Sequence, residues 1–168
     1  MNTRILILIL AALPAFAASG PSPCASNSDA RQLDYWLGDW TVGTATAPNT
    51  GHSEVSLSLD KCLLTESWGS DTTNHQGKNA IAYNPEDKTW YGLFVDNHGR
   101  VHALKGTVTP GSAEFMGPSR DENGKIVLNK VKIVRVNQDN VEQVWQKSPD
   151  NGASWTTDVR MLYARKYL

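Results

Sequence analysis

From Trp40 to Arg165 the chain is cut into strand-length segments by turn chemistry, and no connection is long enough for a crossover helix. The breaks are Ala47-Pro48-Asn49-Thr50-Gly51, Asn84-Pro85-Glu86-Asp87, Asn97-His98-Gly99, Thr109-Pro110-Gly111, Asp121-Glu122-Asn123-Gly124 and Asp150-Asn151-Gly152. Glycine, proline and Asx residues at such points preset turn dihedrals or hydrogen-bond their own backbone. The spacing predicts ten strands. The first five are expected at residues 40–46, 53–59, 62–68, 78–83 and 89–96. The rest are expected at 101–108, 112–116, 126–136, 141–147 and 155–165. Short connections make neighbours antiparallel, so the fold class is all-β, a meander in a barrel or a sandwich.

Alternation assigns faces, because successive strand side chains point to opposite sides of a sheet. Val55, Leu57 and Leu59 are expected inside, opposite Glu54, Ser56 and Ser58. In the third strand the apolar register of Leu64 and Trp68 carries Glu66 inward with it. His102 travels with Leu104 and Val108, and Gln143 with Val141 and Trp145. Trp155, Val159, Met161 and Tyr163 share one face of the last strand. The strand at 89–96 is apolar on both faces, so its register is undecided between Trp90 with Phe94 and Tyr91 with Leu93 and Val95. Lys130 and Lys132 mark a solvent face.

Ahead of the strands, Leu33, Trp36 and Leu37 recur at the spacing of one helix face, with Ser28 or Asp29 placed to cap the start. Gly38 sits where a helix C-terminus takes a left-handed residue. Met1 to Ala17 reads as a secretory signal: Arg4, an apolar run from Ile5 to Leu13, and Ala15-Phe16-Ala17 as a small-x-small cleavage site. Pro21-Ser22-Pro23 before Cys24 is unlike a lipoprotein signal, so no membrane anchor is expected after cleavage. The expected organisation is residues 1–17 as signal, 18–30 as a lead-in with Cys24, and 31–168 as one domain.

Export sets the expectation for the cysteines. In an oxidising compartment, periplasmic or extracellular, Cys24 and Cys62 pair and tie the lead-in to the wall. The formal charge is −1, or −2 without the leader and its one arginine. Such a balance gives no electrostatic footprint for nucleic acid or an anionic membrane surface.

Ser148-Pro149-Asp150-Asn151-Gly152-Ala153-Ser154-Trp155 matches the Asp-box, S-x-D-x-G-x-[ST]-W. Asp150 can accept from turn amides, Gly152 supplies a left-handed residue and Trp155 packs over the hairpin, so the box is structural. His52, His75 and His98 fall in turns, where a solvated imidazole is expected. No zincin, nucleophile-elbow, phosphate-loop or dinucleotide motif occurs, and neither metal nor cofactor is expected.

Several features then fall in an order that resembles a known group. They are Leu37-Gly38-Asp39-Trp40, Cys62 followed by Glu66-x-Trp68, Gly77, Tyr83, Trp90 through Asp96, Gly99 and Gly106. Val141-x-Gln143-x-Trp145, the Asp-box and Tyr163-x-Arg165 complete the series. Together they resemble an uncharacterised family of exported bacterial domains with a lipocalin-like, calycin-type barrel. The resemblance implies a single antiparallel barrel with a short N-terminal helix plugging one end. It also implies that Arg165 stacks on Trp40 as a cation–π pair. Gly92 and Phe94 stand where the family often has Gln and a second Trp.

What the chain does follows from polar groups in apolar registers. Glu66, His102 and Gln143 point inward, with Tyr83 and Tyr163 as hydroxyl partners and Trp68, Trp90 and Trp145 as aromatic wall. Burial would raise the Glu66 pKa, which suits either a catalytic acid or base or a ligand-orienting carboxyl. The leading expectation is a barrel that binds a small apolar or aromatic molecule. The alternatives are a cofactor-independent isomerase, cyclase or lyase using Glu66 and His102, and an empty structural barrel.

Overall fold

The computed structural model describes Gly20 and residues 22–167; the expected leader, residues 1–17, lies outside them. A short helix α1 (Pro23–Ser26) and two 3-10 turns (Asp29–Arg31 and Asp34–Trp36) precede ten strands. These are β1 (Gly38–Gly43), β2 (Gly51–Ser58), β3 (Leu63–Ser70), β4 (Gln76–Asn84) and β5 (Thr89–Asp96). They continue as β6 (Val101–Thr109), β7 (Ser112–Arg120), β8 (Ile126–Arg135), β9 (Asn140–Ser148) and β10 (Thr156–Arg165). Each strand pairs antiparallel with the next, and β10 returns to β1, so the sheet closes into a meander barrel without free edges.

One end of the barrel is plugged. Leu33 and Trp36, on the 3-10 turns, are fully buried in the barrel core. The Tyr35 hydroxyl donates to the Ile133 carbonyl at 2.8 Å, and the Trp40 indole donates to the Trp36 carbonyl at 2.9 Å. Trp36 and Trp40 each meet Tyr163 edge to face, at 5.9 and 6.3 Å. The Arg165 guanidinium lies 4.2 Å over Trp40 and donates to the Leu37 and Tyr35 carbonyls. The Cys24–Cys62 disulfide fastens α1 to the turn that leads into β3.

The plug differs in detail from the single helix face expected. Leu37 is already extended, and Gly38 opens β1 opposite Val55 instead of ending a helix. Its φ of +126° suits glycine, and a Cβ there would lie 2.5 Å from an Arg165 guanidinium nitrogen. Gly38 therefore gives Arg165 its seat on the carbonyls of the plug.

Two face assignments need correction. Leu59 is 72 % exposed, because Leu59, Asp60 and Lys61 all take positive φ in the β2–β3 turn. Trp155 lies outside: a bulge between Thr157 and Val159 reverses the alternation of β10, and Lys130 from the outer face of β8 sits 3.8 Å over the Trp155 ring. Val159, Met161 and Tyr163 keep the inner face. The undecided strand, β5, turns Trp90, Gly92 and Phe94 inward. Aromatic rings explain why glycine suits these positions: a Cβ on Gly92 would meet the Phe94 ring at 2.7 Å, and one on Gly106 the Phe115 ring at 2.6 Å.

The ladder between β6 and β7 runs from Thr109↔Ser112 to Lys105↔Met116 and goes no further. Toward the end opposite the plug, β6 pairs only with β5, and β7 only with β8. Pro118 stands in this part of β7, where its missing N–H costs no ladder bond. Past that point the two strands stay in contact without ladder bonds, Gly117 lying close against the Ala103 carbonyl.

Two measurements check the plug. Thiol labelling without reductant should find no free cysteine, and reduction should cost about 4 kcal/mol for a loop of this length. Gly38→Ala should destabilise by about 1–3 kcal/mol and red-shift Trp40 emission as Arg165 is displaced; an unchanged melting curve would contradict the seat.

Candidate functional site

Glu66 lies in mid-barrel, on the inner face of β3 and 1 % exposed. Its carboxyl is a junction of four strands. Ser53 of β2 donates its hydroxyl to Oε1 at 2.7 Å, and Tyr163 of β10 donates to the same oxygen at 3.0 Å. The Asn79 amide of β4 donates to Oε2. Tyr163 fits the partner role expected of it; Tyr83 does not, since its hydroxyl reaches Asp29 at the plug. Ser53 and Asn79 were missed because pairing across β2, β3 and β4 brings them together, through Val55↔Glu66 and Glu66↔Asn79.

Burial pushes the Glu66 carboxyl up, and the hydrogen bonds from Ser53, Tyr163 and Asn79 offset only part of it, leaving a pKa of about 7. Burial and the adjoining carboxyl hold the Tyr163 phenol well above its usual range.

His102 does not join this junction. It lies on β6, with β4 and β5 between its strand and that of Glu66. Its ring packs against Trp145 at 5.2 Å, and Phe94 meets the same indole edge to face at 5.2 Å. Burial, with Lys147 and Arg100 nearby, lowers the His102 pKa and keeps the ring neutral at pH 7. The Trp145 indole donates to Gln143 Oε1 at 3.0 Å. Trp90 belongs to the closed-end core with Tyr83, 5.5 Å away.

The mouth-side half of the barrel carries an unusual polar inventory. Among the described residues, Gln143 Nε2, Asn129 Oδ1, His102 Nδ1 and Trp68 Nε1 are buried there without a hydrogen-bond partner, and the plug holds four more such atoms, on Arg31, Asp34 and Trp36. Gln143 and Asn129 are almost wholly enclosed, at 1 and 0 % exposure. Asn129 donates its amide to Ser119 on β7, and its carbonyl oxygen is left over. Buried polar atoms are nearly always paired, so four in one half of a barrel call for an explanation. An open groove of about 660 Å³ runs along the outer wall of β2 to β5, over Glu54, Ser67, Lys78 and Val95, and reaches the rim at His75, Asp96 and Asn97.

The Asp-box is a closed structural unit. Asp150 accepts from the Ser154 amide and hydroxyl and the Ser148 hydroxyl, which together outweigh desolvation and hold its pKa at about 2. Gly152 has φ +93°, and its amide donates to Ser148 Oγ at 2.7 Å.

Neither a protein-family model nor a curated protein matches this chain.

Glu66 makes a signed prediction. Its folded-state pKa stands above the ordinary 4.5, so between pH 4.5 and about 7 the folded chain holds a proton that the unfolded chain has lost. Stability should fall as pH rises through that window, by about 3 kcal/mol in all. Denaturant melts should show this slope in the wild type and its loss in Glu66→Gln; equal slopes would place the titration elsewhere.

Proposed function

We propose that this chain is an exported, calycin-like barrel that binds a small, flat, largely apolar molecule at its mouth. The reading includes the secretory leader at residues 1–17 and a periplasmic or extracellular destination, which the Cys24–Cys62 disulfide supports. The observation that carries it is the set of unpartnered buried atoms at the mouth-side half. Gln143 Nε2 and Trp68 Nε1 offer donors, Asn129 Oδ1 offers an acceptor, and neutral His102 offers either. Aromatic walls with a few placed polar groups are the usual make-up of a small-molecule site.

The shape supports a shallow seat. Trp36, Trp40, Tyr163, Phe115 and Ile81 fill the plugged half, so the place for a cargo lies toward the mouth, beside His102 and Ser119. Glu66 then serves as the floor, tying the wall together beneath the cargo. The geometry favours binding over acid–base catalysis, because Glu66 is committed to three donors and separated from His102 by two strands.

Native mass spectrometry and an absorption spectrum of the chain purified from its own host test this reading. A retained small molecule, in one-to-one ratio and absorbing as an aromatic, is expected. Gln143→Leu should release it while changing stability by no more than about 1 kcal/mol. Bare wild-type protein, with no added mass and no extra absorbance, would overturn the proposal.

A further inference from the structure

At the rim, two loops are bound into one surface. His75 immediately precedes β4, Asp96 ends β5 and His98 lies in the β5–β6 turn. The Asn97 amide donates to the Gln76 carbonyl at 3.0 Å, and the Gln76 amide donates to Asn97 Oδ1 at 3.1 Å. Asp96 Oδ1 is spent on the turn, accepting the His98 and Arg100 amides at 3.0 Å each. Its other oxygen, Oδ2, faces outward to His75 Nε2 at 3.1 Å.

Arg100 decides how that pair is read. Its Nε donates to Asp96 Oδ2 at 2.6 Å, and its Nη2 lies 3.0 Å from His75 Nε2. A guanidinium only donates and a carboxylate only accepts, so the role of His75 Nε2 follows the tautomer; with the proton on Nδ1 it accepts from Arg100. Nε2 and Oδ2 then present two lone pairs, 3.1 Å apart, to a single cation. Trp68 stands edge to face on His75 at 4.9 Å, fixing the ring, and His98 meets the same ring at 4.8 Å. One ligand atom from each of His75, Asp96 and His98 lies within 4.8 Å of the others.

We propose that His75, Asp96 and His98 form a site for a borderline divalent transition-metal ion of the Zn²⁺ or Co²⁺ class, for which Arg100 is the built-in competitor. Two imidazoles and one carboxylate are the donor set such ions take, and harder ions such as Mg²⁺ and Ca²⁺ prefer all-oxygen sites. Ligands about 2.0–2.1 Å from a tetrahedral metal stand about 3.4 Å apart, a little wider than the 3.1 Å between His75 Nε2 and Asp96 Oδ2. His98, exposed on its turn, needs only a side-chain rotation to complete the triad. Metal binding would swing Arg100, itself 57 % exposed, out into solvent. The site adjoins the seat proposed above through Trp68, and its test requires no cargo.

Titration of the full, disulfide-intact chain with Co²⁺, followed by its visible ligand-field absorption and by competition with Zn²⁺, tests the site. A saturable one-to-one band is expected. His98→Ala and Asp96→Asn should each weaken it at least about tenfold, Asn keeping the turn acceptor while losing the charge. Arg100→Ala should tighten binding by about tenfold, and His52→Ala, whose ring pairs with Asp71 outside the triad, should leave it unchanged. Absence of a saturable band in both wild type and Arg100→Ala would overturn the proposal. So would a band indifferent to Asp96→Asn and Arg100→Ala, which marks adventitious histidine binding.

Discussion

The buried carboxyl of Glu66 is the constraint around which the barrel is arranged. Ser53, Asn79 and Tyr163 converge on it from β2, β4 and β10, so one side chain joins strands on both sides of the β1 seam. Tyr163 carries the junction to the plug, since its ring is the partner of both Trp36 and Trp40. A lone buried carboxyl would be prohibitive; three donors make it tolerable, and its remaining preference for the neutral form ties the barrel's stability to pH.

Above and below this junction the barrel has two characters. Below it, glycines and aromatic rings interlock, with Phe94 over Gly92, Phe115 over Gly106 and Arg165 over Trp40 in the space Gly38 leaves. Above it, the β6–β7 ladder stops, amides and an imidazole are enclosed without partners, and the rim loops gather histidines around Asp96.

Much of this was legible in residue order. Turn chemistry located all ten strands, and alternation turned Glu66, His102 and Gln143 inward. Alternation failed where the backbone departed from a regular strand: the β10 bulge moved Trp155 outside, and the left-handed run at Leu59–Lys61 put an apolar side chain in water. For β5, apolar on both faces, only cross-strand partners could decide. The same is true of Ser53 and Asn79, whose roles exist because register sets them beside Glu66. His75 and Asp96 lie 21 residues apart and meet only because Gly77 pairs with Asp96. Pairwise proximity of that kind has no periodic signature.

The junction can be observed directly. Carbon-detected NMR of the Glu66 side-chain carboxyl, titrated in the folded chain, should give a midpoint near pH 7, displaced in Tyr163→Phe. A midpoint at the ordinary 4.5, unmoved by loss of the Tyr163 hydroxyl, would mean that Glu66 is solvated and that the barrel is held together by something else.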